Sequence, residues 1–181
     1  MQAQLNVRPD TLRVHHATRR AGLAVVLLNP VPHARPTTTM RNVEIARVIV
    51  GAQLVTPVNL HTTPTRDLPE LAIVAERSDG WLAARAAITQ ALLASDQVLF
   101  AWGLGGLTGL SRQHFLDQAR WTREAAVRAG HTSALMVDGV PRHPSRWRQY
   151  LGPVHGRYAT LPTFSERLEA ALKSVPLTPD G

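Results

Sequence analysis

The chain has 181 residues, 44% of them hydrophobic, with 20 basic against 13 acidic side chains and no cysteine. That length suits one well-buried α/β core, no apolar run approaches the roughly 20 residues a bilayer span needs, and the missing thiols exclude disulfides, cysteine nucleophiles and most structural zinc sites. The formal charge of +7 is almost wholly arginine, Lys173 being the only lysine, which suits a polyanionic partner such as nucleic acid or reflects arginine-rich codon usage.

No charged stretch followed by an apolar one opens the sequence, so a cytoplasmic, monomeric, single-domain protein without membrane contact is expected. Residues 1–21 carry Arg13, His15, His16, Arg19 and Arg20 and read as a basic arm or a short edge strand. The core is expected over 22–152, with 153–181 an extension holding a last helix.

The first strand is the stretch from Gly22 to Pro32, where six apolar residues, Leu23 to Leu28, run into Asn29 and Pro30. So short an apolar run, bounded by Gly and Pro, fits a strand covered on both faces of a parallel sheet. Pro30 keeps Asn29 out of the α region and presents its amide at the strand's carboxyl end. The Pro32–Thr39 loop should border any site there.

Met40–Gly51 has the stripe Val43, Ala46, Val50 with Ile45 and Ile49, a crossover helix closed by Gly51. Leu54–Leu60 is a second strand ending on Asn59, with Pro57 pointing to an edge position. Thr62–Asp79 reads as irregular. Trp81–Ala94 reads as a helix, with Asp79 as N-cap and Leu82, Ile88 and Leu92 inward. Gln97–Trp102 is a third strand, followed by the glycine turn Gly103–Gly109 and a helix from Ser111 to about Ala129 with Phe115, Ala119, Thr122 and Ala126 on one stripe. Ser133–Val137 is a fourth strand. Val140–Tyr150 concentrates arginines, His143 and aromatics, Thr163–Ser174 is a last helix, and the chain frays after Pro176.

Alternating strands and helices predict a three-layer α/β/α sandwich around a four-stranded parallel sheet. All four expected carboxyl ends then share one edge, where ligands bind in open α/β sheets. That edge receives Asn29 and Pro30, Asn59, the glycine turn, and Asp138 to Ser145. The glycine turn is either a phosphate cradle ahead of a helix or a tight connection. The sequence has no Gly-Lys-Ser/Thr, no Gly-x-Ser-x-Gly and no helical His-x-x-x-His, which disfavours triphosphate, serine-hydrolase and metal chemistry. No metal or cofactor is expected.

Leu28-Asn29-Pro30, Val58-Asn59-Leu60, Ala101-Trp102-Gly103 and the segment Gly139 to Pro144 resemble, in order and spacing, the landmarks of a bacterial and phage domain-of-unknown-function family. That family is similar to the uracil-DNA glycosylase superfamily of DNA-repair hydrolases, and the likeness covers about Leu23 to Gly152. It implies that Asn29 positions the hydrolytic water and His143 stabilises the departing base. It also implies that Asn59, with Pro30, Trp102 and Gly103, holds the base. Arg142, Ser145, Arg146, Trp147 and Arg148 would grip nucleic acid, DNA more than RNA, with Arg146 or Trp147 as a wedge into the duplex. The chain differs from the family at Val31, where serine is usual, and offers His33 where an aromatic would stack on a flipped base. Two alternatives stand beside base excision: a non-catalytic nucleic-acid or nucleotide-binding module, and an enzyme acting on a free nucleoside or nucleotide.

Overall fold

The computed structural model describes residues 21–30, 37–103, 105–152 and 157–178. Chain order is β1 (Gly22–Leu27), α1 (Thr38–Ile49), β2 (Leu54–Asn59), α2 (Leu68–Val74), α3 (Asp79–Ala94), β3 (Gln97–Phe100), α4 (Gly109–Arg128) and β4 (Ser133–Val137). A 3-10 turn (Pro144–Arg146), α5 (Trp147–Tyr150), α6 (Phe164–Ala171) and β5 (Leu172–Pro176) follow. The basic arm, the loop residues 31–36 and the last residues, 179–181, lie outside the described residues.

The strands form one sheet in the order β2-β1-β3-β4-β5. β1 pairs in parallel with β2 and β3, and β3 with β4. The apolar run of β1 is buried throughout because its two faces look into different cores. Ala24 and Val26 pack with Leu71 of α2, Trp81 and Ile88 of α3 and Phe115 of α4. Leu23, Val25 and Leu27 pack with Val43 and Ala46 of α1, Trp147 of α5 and Leu168 of α6. Helices therefore cover both faces of the sheet. β2 is an outer strand, and there Pro57 has no partner to disappoint on its free side. Among the described residues, no helix is long and apolar enough to cross a membrane.

The structure corrects the sequence reading in several places. The sheet has five strands, the last antiparallel, because the expected helix to Ser174 stops at Ala171. β4 would otherwise leave one edge of hydrogen-bonding groups open. Leu172–Pro176 turns extended to fill it, and Leu177 continues with a bond from its N–H to the Thr132 carbonyl instead of fraying. α2 lies within the segment read as irregular. Its cue is Asp67, whose carboxylate caps the Glu70 N–H at 2.9 Å, an acidic N-cap followed three residues on by glutamate. In α3, Leu82 is 52% exposed and Trp81 and Ala84 take the inward positions; Asp79 is the first helical residue, after Ser78. Thr108, not Ser111, precedes α4, and the Ser111 hydroxyl donates to the Thr108 carbonyl.

Candidate functional site

Beyond the carboxyl ends of the parallel strands lies a cleft of 580 Å³, bordered by Asn29, Thr65, Trp102, Gly103, Arg142 and His143 among others. Asn29 stands just past β1. Its Nδ2 donates to the Pro30 carbonyl at 3.0 Å and to the Thr65 hydroxyl at 2.8 Å. A carbonyl oxygen only accepts, so the atom facing Pro30 must be the amide nitrogen, and both amide hydrogens are spent inside the protein. The oxygen, with no hydrogen-bond partner among the described residues, is what Asn29 offers a ligand. Thr65 is almost fully buried and also sends its N–H to the Pro30 carbonyl at 3.3 Å.

His143 enters from the β4 side, just before the 3-10 turn. Its Nδ1 accepts the Ser145 N–H at 3.3 Å and lies 2.8 Å from the Ser145 hydroxyl. A backbone N–H only donates, so Nδ1 is the acceptor and the neutral ring carries its proton on Nε2. Burial, reinforced by the nearby charge of Arg146, holds the imidazole pKa below its ordinary value and favours that neutral form. Two neighbours fix the loop. Asn42 of α1, completely buried, donates from Nδ2 to the Pro144 carbonyl at 2.7 Å. Gly103 donates its N–H to the Pro141 carbonyl at 2.6 Å. Its φ of +92° calls for glycine, and the His143 Cβ packs within ordinary contact distance, 3.4 Å from where a Cβ would stand.

The residues expected to hold a base are divided between two spaces. Trp102 and Gly103 border the large cleft, where Trp102 is almost wholly buried with its ring 4.6 Å from that of Phe100. Asn59 and Pro30 instead border a smaller cavity of 180 Å³ beside the first turn of α1. Asn29 and His143 border both. The Asn59 Oδ1 is buried with no partner among the described residues.

Comparisons of the chain with protein-family models, with curated proteins and with solved structures gave no match. What the site can do follows from its own chemistry.

The expected nucleic-acid contacts separate in the same way. Arg142, Ser145 and Arg146 border the cleft, whereas the Arg148 guanidinium lies 4.3 Å over the Phe164 ring, away from it. Trp147 is a correction. Its side chain is fully buried and its indole N–H donates to the Arg142 carbonyl at 2.8 Å, so it is a core anchor and cannot enter a duplex. Of the glycine turn, Gly103 and Gly105 reach the cleft, but the first residues of α4 do not. Val31 and His33 lie outside the described residues.

Sequence reading missed Thr65, Asn42 and the opposite wall of the cleft, Arg66 to Leu68. Asn42 left a trace, because Ala46 four residues on puts it on the buried stripe of α1, where a polar residue needs a partner. Thr65 left none, since its role depends on a loop folding back over β1. Another buried histidine, His61, accepts the Thr63 N–H at Nδ1 (3.2 Å), packs edge-on to Trp81, and borders neither cavity. Among the described residues, no cluster of three or more His, Asp or Glu side chains could hold a metal ion.

Proposed function

We propose that this protein is a base-excising hydrolase of uracil-DNA-glycosylase-like fold, cleaving the N-glycosidic bond of a nucleotide in nucleic acid, DNA in preference to RNA. The reading rests on one observation: Asn29 and His143, from the ends of different strands, border the same cleft with fixed and opposite hydrogen-bonding polarity, an acceptor oxygen and an Nε2–H donor. Breaking the bond from base to sugar builds positive charge on the sugar and negative charge on the base. A neutral histidine donating to a base oxygen stabilises that charge without having to give up its proton. The Asn29 oxygen accepts from the attacking water and aims it at the sugar carbon. As water adds, the base leaves with the bonding electrons and takes a proton from solvent. An amide cannot remove the water's proton as a carboxylate would, so turnover is slow.

That same amide favours a second reading, a recognition module that holds a base without releasing it. Incubation with labelled oligonucleotides carrying uracil, hypoxanthine, mismatches or modified pyrimidines, scored for abasic sites, separates the two. Excision lost in both Asn29→Ala and His143→Ala, each still folded, supports the hydrolase. Undiminished excision in both overturns it, and salt-dependent binding with no base released favours the module. An enzyme of free nucleotides would be indifferent to competing long DNA.

A further inference from the structure

Each ion pair among the described residues engages Arg47, Arg66, Arg77, Arg120 or Arg128. Arg142 and Arg146, which border the cleft, are in none of them. Arg142 is held in an unusual way for an unpaired cation. Its guanidinium carbon lies 3.5 Å from the centre of the Tyr150 ring, and its Nε is buried with no partner among the described residues. The Tyr150 hydroxyl donates to Asp138 Oδ2 at 2.7 Å, and the Tyr158 hydroxyl to Asp138 Oδ1 at 2.6 Å. Both oxygens of the carboxylate that feels the Arg142 charge are thus engaged by phenols, and Asp138 forms no ion pair with it. Asp138, in the left-handed region at φ 51°, holds Tyr150 in place, and Tyr150 holds the plane of the guanidinium. A guanidinium has five donors, more than one phenol can engage.

We propose that Arg142 is the centre of an anion subsite in the cleft, with Arg146 and Ser145 beside it, and that it takes a phosphate group of the bound nucleotide. The proposal deepens the base-excision reading and rests on it for the rest of the ligand. A planar fork with fixed orientation, in no ion pair among the described residues, matches phosphate oxygens. Asp67 also borders the cleft, where Arg66, Arg142 and Arg146 outnumber it, so this wall is cationic on balance. The phosphate belongs either to the diester backbone of a polynucleotide or to the terminal monoester of a free nucleotide.

The test is titration of the purified full chain with inorganic phosphate, followed by calorimetry and by amide chemical shifts. Saturable binding is expected. Arg142→Gln should weaken it by about tenfold or more, as for loss of a hydrogen bond to a charged group. Arg142→Lys, which keeps the charge without the fork, and Tyr150→Phe, which keeps the ring without its anchor on Asp138, should each weaken it several-fold. Arg120→Gln, on the outer face of α4, should leave it unchanged. Displacement of phosphate by a short oligonucleotide but not by a nucleoside 5′-monophosphate assigns the diester, and the reverse assigns the monoester; both support the subsite. Absence of saturable binding, or equal binding by folded Arg142→Gln and Arg142→Lys, overturns it. Asn29→Ala should bind phosphate normally even if no base is ever excised, so failure of the excision reading and failure of the subsite are told apart.

Discussion

Asn29 and Thr65 are joined by a 2.8 Å hydrogen bond from the amide nitrogen of one to the hydroxyl of the other. The bond decides which atom of Asn29 is left for a ligand. With one amide hydrogen on Thr65 and the other on the Pro30 carbonyl, only the oxygen is free. Thr65→Val removes the hydroxyl with little change in volume and leaves an amide hydrogen unsatisfied. We expect a loss of roughly 1–3 kcal/mol of stability by urea unfolding, together with a larger fall in excision than in oligonucleotide binding. Thr65→Ser should restore both.

In the proposed reaction His143 acts as the neutral ring. Protonation would put a hydrogen on Nδ1, the atom that accepts the Ser145 N–H. Since burial, and then Arg146, lower its pKa, excision should be level above the ordinary histidine range and decline only as pH falls through the lowered value. His143→Gln keeps a donor that does not titrate, so its residual rate should lose this acid limb. A pH–rate profile with the limb intact in His143→Gln would assign the titration to another group.

Buried His61 contributes to stability with the same sign as His143. Burial lowers its pKa, against a smaller upward effect of the Asp79 charge. The unfolded chain therefore binds more protons than the folded one below the unfolded histidine pKa of about 6.5. The stabilisation is fully present above that pH and is lost as pH falls through the lowered folded value. His61→Phe should flatten the pH dependence of the urea midpoint in this window. An unchanged slope would show that His61 does not carry it.

Asn42 borders neither cavity and holds the turn that carries His143. Asn42→Ala removes the bond to the Pro144 carbonyl and should cost about 1–3 kcal/mol. The pH midpoint of excision should shift as well, because the His143 environment loosens; a loss of stability alone would make Asn42 purely structural.

Trp147 is expected to behave as core. Trp147→Ala should cost about 3–5 kcal/mol in thermal or urea unfolding, and Trp147→Phe less, losing mainly the indole bond to the Arg142 carbonyl. A folded Trp147→Ala protein with normal stability and weakened duplex binding would restore the wedge.

What the sequence determined by itself is the alternation of strands and helices and the residues at the strand ends. Ser133–Val137 is a strand with the boundaries its apolar run suggests, and β1 is buried on both faces as an uninterrupted apolar stretch must be. These are local signals, because period, turn residues and proline act within a few positions. Tertiary structure decided the rest. β5 exists because β4 had an open edge, so pairing between distant residues overrode a helical pattern. Trp147 went inward because the space between α1 and α6 had to be filled. The polarity of Asn29 is set by Thr65, the tautomer of His143 by the Ser145 N–H in a turn that Asn42 holds, and the orientation of the Arg142 guanidinium by Tyr150. A sequence shows which groups reach an edge, and only folding shows which of their hydrogen bonds are already taken.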